Sequence, residues 1–181
     1  MFCRDRNDID QLFVVSNYKE PLIERSIKYF KYRFISDMHV PLSIIAGRYI
    51  EKLIKTKRVN VFEDNPLLIS VPLETRRLNW RGFNQSALIA KYLADKFLLE
   101  HLENGLERKK SAKPQASIKD RNERVANLGC VFECNATSRI QDRIVILVDD
   151  ICTTGSTLNS CASILKKSGA KRVIGFVIAR G

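Results

Sequence analysis

Three features of the 181-residue chain predict an α/β fold with a central parallel sheet flanked by helices. Apolar runs at 67–71, 144–148 and 173–179 lack the polar alternation of a half-wet strand and suit strands buried on both faces. Segments with apolar residues three or four apart lie between and before them, as expected of amphipathic helices. The first two runs stop at polar loops, which places chemistry-bearing residues at one edge of the sheet.

The elements follow in order. Ile9, Leu12, Phe13, Val14 and Val15 suggest a short strand over 9–15, and Pro21 suits the first turn of a helix. Leu22, Ile23, Ser26, Ile27 and Phe30 recur at helical spacing. A second helix is expected over 41–55, with Ile44, Ile45, Tyr49, Leu53 and Ile54 turned inward. His39, between the two helices, has no His, Cys or carboxylate at metal spacing and reads as a surface or packing residue. The polar stretch 55–65 ends before Pro66, so residues 1–60 are expected as a small, mostly helical hood and 61–181 as the core.

Pro72 closes the strand at 67–71, because proline cannot donate to a sheet ladder. The loop that follows, PLETRRLNWRGFNQ, carries Arg76, Arg77 and Arg81; Gly82 would allow a close backbone approach, and Asn84 can cap a helix beginning near Gln85. Ile89, Leu93 and Phe97 mark the buried face of that helix. Residues 107–124, ERKKSAKPQASIKDRNER, hold almost no apolar anchor and read as a surface loop. A helix over 157–167, with Leu158, Cys161, Ala162 and Leu165 inward and Gly169 at its end, returns the chain to the strand at 173–179. Strand, helix and strand of this length imply a right-handed parallel crossover.

The chemistry concentrates in 143–158, RIVILVDDICTTGSTL. The strand ends at Asp149 and Asp150, and Thr153, Thr154, Gly155, Ser156 and Thr157 follow where the chain must turn into a helix. Consecutive amides and hydroxyls at a helix start favour a phosphate. Paired carboxylates beside it suit sugar hydroxyls and Mg2+, which prefers hard oxygen ligands. A buried strand with a solvated Asp-Asp turn explains the apolar run but not the hydroxyl-rich loop. A receiver domain would place its acid pair near its start, whereas this one lies about thirty residues from the end. Arginines at the neighbouring strand end can hold pyrophosphate oxygens bidentately.

This stretch, an apolar strand, two acids, two variable residues and T-T-G-x-[ST], resembles the 5-phosphoribosyl-1-pyrophosphate (PRPP) loop of type I phosphoribosyltransferases. V-P-L at 71–73 with R-G-F-N-Q at 81–85, KYRF at 31–34 and the closing ARG at 179–181 are similar to the ComF family of phosphoribosyltransferase-like proteins, associated with bacterial competence and DNA uptake. The resemblance covers nearly the whole chain. It implies the type I phosphoribosyltransferase fold, with 107–124 as a lid in which Arg108, Lys110 and Gln115 fit the family pattern and Ala112 replaces a threonine. Many ComF relatives begin with a cysteine-rich zinc-binding segment. Here Cys3 stands where its last cysteine would be, so that segment is expected to be lost or to lie upstream.

The roles implied are concrete. Asp149 and Asp150 contact ribose hydroxyls and Mg2+; residues 153–157 bind the 5'-phosphate; Arg81, with Arg76 or Arg77 and Gly82, serves pyrophosphate. Arg108, Lys110 and Gln115 belong to the lid. The leading expectation is an Mg2+-dependent phosphoribosyltransferase that uses PRPP and releases pyrophosphate. The alternative is a non-catalytic PRPP sensor or accessory to competence and DNA uptake. No general base is evident, because Thr153 stands where purine phosphoribosyltransferases often have an aspartate.

Composition narrows this little further. The net charge is +11, from 31 Lys and Arg against 20 Asp and Glu, which favours polyanions generally, whether PRPP, nucleic acid or an acidic partner. Cys3, Cys130, Cys134, Cys152 and Cys161 are odd in number and include no C-x-x-C pair, so they support neither a disulfide framework nor a zinc site. With no long apolar run and no signal-peptide pattern, a cytoplasmic protein without a membrane span is expected.

Overall fold

The computed structural model describes residues 8–33, 35–56, 64–109 and 132–181. Lys110, Ala112, Gln115, Cys3, Cys130 and most of the expected lid therefore lie outside the described residues. In chain order the elements are β1 (Gln11–Asn17), α1 (Pro21–Tyr32), a 3-10 turn (Ser36–Met38), α2 (His39–Lys55), β2 (Leu67–Ser70), α3 (Thr75–Arg81) and α4 (Gln85–Phe97). Then come β3 (Leu106–Arg108), β4 (Phe132–Cys134), α5 (Thr137–Ile140), β5 (Ile144–Cys152), α6 (Ser156–Lys167) and β6 (Arg172–Arg180).

Four strands form a parallel sheet in the order β1-β6-β5-β2. Residues 100–102 continue it beyond β2, where the Leu68 N–H donates to the Glu100 carbonyl and the Leu102 N–H to the Leu68 carbonyl, both at 2.9 Å. This is the helix-flanked parallel architecture of the type I phosphoribosyltransferase fold. The first sixty residues contribute β1, an edge strand of the sheet, as well as α1 and α2.

The pleat of β5 divides the core. Ile144, Ile146 and Val148 pack with α1, α2 and α4, whereas Val145 and Leu147 pack on the side of α6, β3 and β4. Strands buried from both sides need no polar face, which is why the apolar runs are continuous. The sheet also frames the site. β2 pairs with β5 only as far as Ser70 opposite Val148, while β6 accompanies β5 to Cys152 opposite Arg180. Asp149 and Asp150 therefore lie within β5 and not beyond its end, but on the β2 side they extend past their neighbour, and the site opens there.

Three further expectations are corrected. The arginine-rich stretch after Pro72 is not all loop, since Thr75–Arg81 forms the short helix α3. Glu107 and Arg108 are not part of a loop but form β3, paired antiparallel with β4. The inward face of α2 also differs from the expected one: Leu42, Ser43, Ala46, Gly47 and Ile50 are buried, while Ile44, Ile45 and Ile54 are exposed. Small residues decide this. A Cβ added at Gly47 would lie 2.9 Å from Cε of Lys96, so the face of α2 that carries Ser43, Ala46 and Gly47 is turned to α4, and Ile44, Ile45 and Ile54 fall outside.

The two faces of α2 should respond differently to truncation. Leu42→Ala should cost about 2–5 kcal/mol in urea unfolding, whereas Ile45→Ser should cost less than about 1 kcal/mol.

Candidate functional site

A cavity of about 390 Å³ opens where β2 stops short of β5. Its lining includes Asp149 and Asp150 from β5, Arg77 and Arg81 from α3, Arg108 from β3, Thr157 from α6, and Lys31 from α1. Residues as far apart in the chain as Lys31 and Thr157 are thus brought together by three helices and two strands around one sheet edge.

The acids are held firmly. The Ser86 hydroxyl, in the first turn of α4, donates to Oδ1 of Asp149 at 2.8 Å, and the Asp150 N–H donates to the same oxygen at 2.9 Å. Ser86 is itself fixed by Asn84, whose side chain accepts from the Ser86 N–H at 3.1 Å and donates to the Val71 carbonyl at 3.0 Å. The cap expected of Asn84 is therefore present, and it also ties α4 to the end of β2. Lys31 Nζ lies 2.8 Å from Oδ1 of Asp150, and both side chains are largely buried.

Burial, reinforced by the neighbouring Asp150 charge, pushes the Asp149 carboxyl up to about 7, against the opposing hydrogen bonds and Lys31. A carboxyl raised on folding binds its proton more tightly in the native state. Its contribution to stability is thus present at low pH and is lost as pH rises from the ordinary value of 3.8 to about 7. Replacing Asp149 by Asn should flatten the pH dependence of unfolding in that window, as measured by denaturant titrations at several pH values.

The arginines separate into distinct roles. Arg81 is buried, donates through Nη1 to Gln85 Oε1 at 2.7 Å, and its Nε is buried without a partner among the described residues. Burial lowers its pKa, and the Asp150 carboxylate opposes that shift. An orphaned donor of a buried guanidinium at a cavity wall suits an incoming anion. Arg77 lines the same cavity but is exposed and 3.6 Å from Glu74, while Arg76 is exposed and outside the lining. Arg108 lies over the Phe132 ring at 5.7 Å. Gly82 is also outside the lining: at φ +82° it forms the left-handed turn that ends α3, and an added Cβ would meet nothing within 4 Å. Its backbone freedom serves the turn, and no protein atom among the described residues approaches it closely.

In the hydroxyl-rich loop, Gly155 at φ +81° turns β5 into α6. Thr154 Oγ1 and Ser156 Oγ are 3.0 Å apart, and the Ser156 N–H donates to Thr154 Oγ1 at 3.3 Å. Thr153, Thr154, Ser156 and Thr157 are exposed around the start of the helix, and of these only Thr157 lines the cavity. Cys152 is buried, and burial raises its thiol pKa, which fits packing and not nucleophilic work.

Asp149 and Asp150 offer hard oxygen donors that fit Mg2+, an ion usually held by one or two carboxylates together with substrate phosphates and water. Among the described residues no group of three or more His, Cys, Asp and Glu could hold a metal, so substrate oxygens would have to complete the shell. No helix among them is long and apolar enough to cross a membrane.

Lys31, Ser86 and Gln85 were not singled out as site residues by residue chemistry alone. The signal lay in the family-like strings KYRF and R-G-F-N-Q that contain Lys31 and Gln85, with Ser86 directly after the second.

A model of the phosphoribosyl transferase domain matches residues 84–181. Competence protein F of Haemophilus influenzae is 29% identical over 173 residues, which is 94% of this chain and 73% of that protein. The DNA utilization protein YhgH of Escherichia coli O157:H7 is 29% identical over 163 residues, 90% of this chain and 69% of that protein. The competence protein ComFC of Bacillus subtilis is 33% identical over 117 residues, 63% of this chain and 44% of that protein.

Proposed function

Because this chain belongs to the phosphoribosyl transferase domain family and is a ComF-type member of it, we propose that it binds PRPP with Mg2+ and transfers the phosphoribosyl group to an acceptor still to be identified. The observation that carries this reading is the convergence of two carboxylates, Thr157 at the start of α6 and a buried arginine with an orphaned donor on one cavity.

In the proposed reaction a lone pair of the acceptor forms the bond to the anomeric carbon while the carbon–oxygen bond to pyrophosphate breaks, its electron pair leaving with the pyrophosphate, and the proton that an N–H acceptor loses passes to the departing pyrophosphate or to water. The 5'-phosphate would sit at Thr153, Thr154, Gly155, Ser156 and Thr157, where backbone amides at the start of α6 accommodate negative charge. Asp149 and Asp150 would orient the ribose hydroxyls and hold Mg2+, and Arg81, helped by Arg77 and Arg108, would receive the departing pyrophosphate. When bound, Mg2+ supplies positive charge against the leaving group. Positioning and charge neutralisation suffice for an oxocarbenium-like transition state, so no loop base is required.

Pyrophosphate release from PRPP, measured with a panel of nitrogenous bases and Mg2+, tests this directly. Steady turnover with one acceptor supports transfer. Mg2+-dependent PRPP binding without turnover would favour the second reading, a PRPP-responsive accessory in competence or DNA uptake. That reading draws on the names of the relatives and on the described lining, whose only carboxylates are Asp149 and Asp150.

A further inference from the structure

The Lys31–Asp150 pair joins the N-terminal region to the acids, and its placement is built into the fold. Lys31 lies in the last turn of α1, and the side chains of the pair are 23% and 8% exposed. The residue before it is pinned twice. Phe30 is fully buried and stacked on Phe83 with ring centroids 5.4 Å apart, and its carbonyl accepts from Gln85 Nε2 at 3.5 Å. Gln85 in turn accepts from Arg81, so the end of α1, the buried arginine and Asp150 form one connected set.

A buried carboxylate beside a second carboxylate needs a positive charge close by. Lys31 supplies it at 2.8 Å. Mg2+ bonds carboxylate oxygen at about 2.1 Å, so an ion on the Oδ1 that Lys31 holds would stand within about 5 Å of Nζ if the lysine stayed in place. Two cations at that separation in a partly buried site repel strongly.

We propose that Lys31 is the resident counter-ion of Asp150, and that Lys31 and a divalent cation occupy this carboxylate alternately, so that loading the site releases the lysine at the end of α1. The inference rests on reading Asp149 and Asp150 as metal-facing residues. Lys31 is a positioning residue in this scheme. It governs when the acid is available, and Phe30, Phe83 and Gln85 hold α1 in register so that the lysine can return.

The test uses Mn2+ alone as the probe, with free ion followed by electron paramagnetic resonance. Lys31→Met should bind Mn2+ at least about tenfold more tightly than wild type, and the gain should vanish in Lys31→Met/Asp150→Asn. Lys31→Gln keeps a donor for Asp150 without the charge; it should behave like Lys31→Met and covers the case in which that variant does not fold. In the wild type, acylation of Lys31 by acetic anhydride, read by mass spectrometry, should accelerate severalfold when Mn2+ is added. Unchanged or weaker Mn2+ binding by the folded variants, or an unchanged acylation rate at saturating Mn2+, overturns the inference. PRPP binding with Mg2+ is measured separately on the wild type. Its absence would overturn the proposed function, while the Mn2+ comparison would still decide the role of Lys31.

Discussion

Asp149→Asn/Asp150→Asn should abolish Mg2+-dependent PRPP binding while leaving the fold intact. Calorimetric titration of PRPP with and without Mg2+ should give a metal-dependent signal for the wild type and none for the double variant. The expected loss is at least about 100-fold, because each carboxylate makes charge-assisted contacts of about 1.5–3 kcal/mol. The substitutions are isosteric, and neutralising Asp149 removes a charge that burial already disfavours, so circular dichroism should be unchanged. Persistent binding by the double variant would place the substrate elsewhere, most simply on Arg81 and the α6 start alone. No binding by folded wild type would mean that the constellation serves another ligand.

Phe30→Ala should be the most destabilising single truncation near the site, costing about 3–5 kcal/mol by denaturant unfolding. Phe30 has no exposed surface, joins the core shared by α1, α2, α4 and the sheet, and stacks on Phe83. Its removal leaves a void between α1 and the R-G-F-N-Q segment that rigid neighbours fill only in part. The same change unpins the residue before Lys31, so PRPP affinity should fall as well, by a factor that Phe97→Ala, at the far end of α4, does not reproduce. A small stability change would mean that α1 repacks readily and that the Lys31–Asp150 pair alone sets its position.

Much of the site was legible because it is local. Residues 144–157 carry strand, acids, hydroxyls and turn in one stretch, and each residue's conformational demand agrees with its neighbours, from the β-branched run to Gly155 at φ +81°. The Asn84 cap was legible for the same reason, since capping is settled within three residues. The face of α2 was not: side-chain size pointed to Ile44, Ile45 and Ile54, but packing against α4 selects Ser43, Ala46 and Gly47, and that preference depends on a helix far along the chain, where Lys96 meets Gly47. The strands β3 and β4 escaped notice because three residues each leave almost no periodic trace, and each strand needs the other to satisfy its backbone.

Read along the chain, then, these residues specify an α/β architecture, the positions of its main strands in the sequence and the identity of the acids, arginines and hydroxyls that a sugar phosphate would require. These are properties of local pattern, set by periodicity, turn geometry and ligand chemistry. Long-range packing settled the rest: that β2 ends at Ser70 opposite Val148 and leaves Asp149 and Asp150 facing a cavity, that Arg81 and Arg77 reach it while Arg76 and Gly82 do not, and that Lys31 arrives from 119 positions away to neutralise Asp150. Burial and electrostatic pairing depend on which surfaces meet, and a linear sequence does not display that meeting until the sheet has brought its edges together.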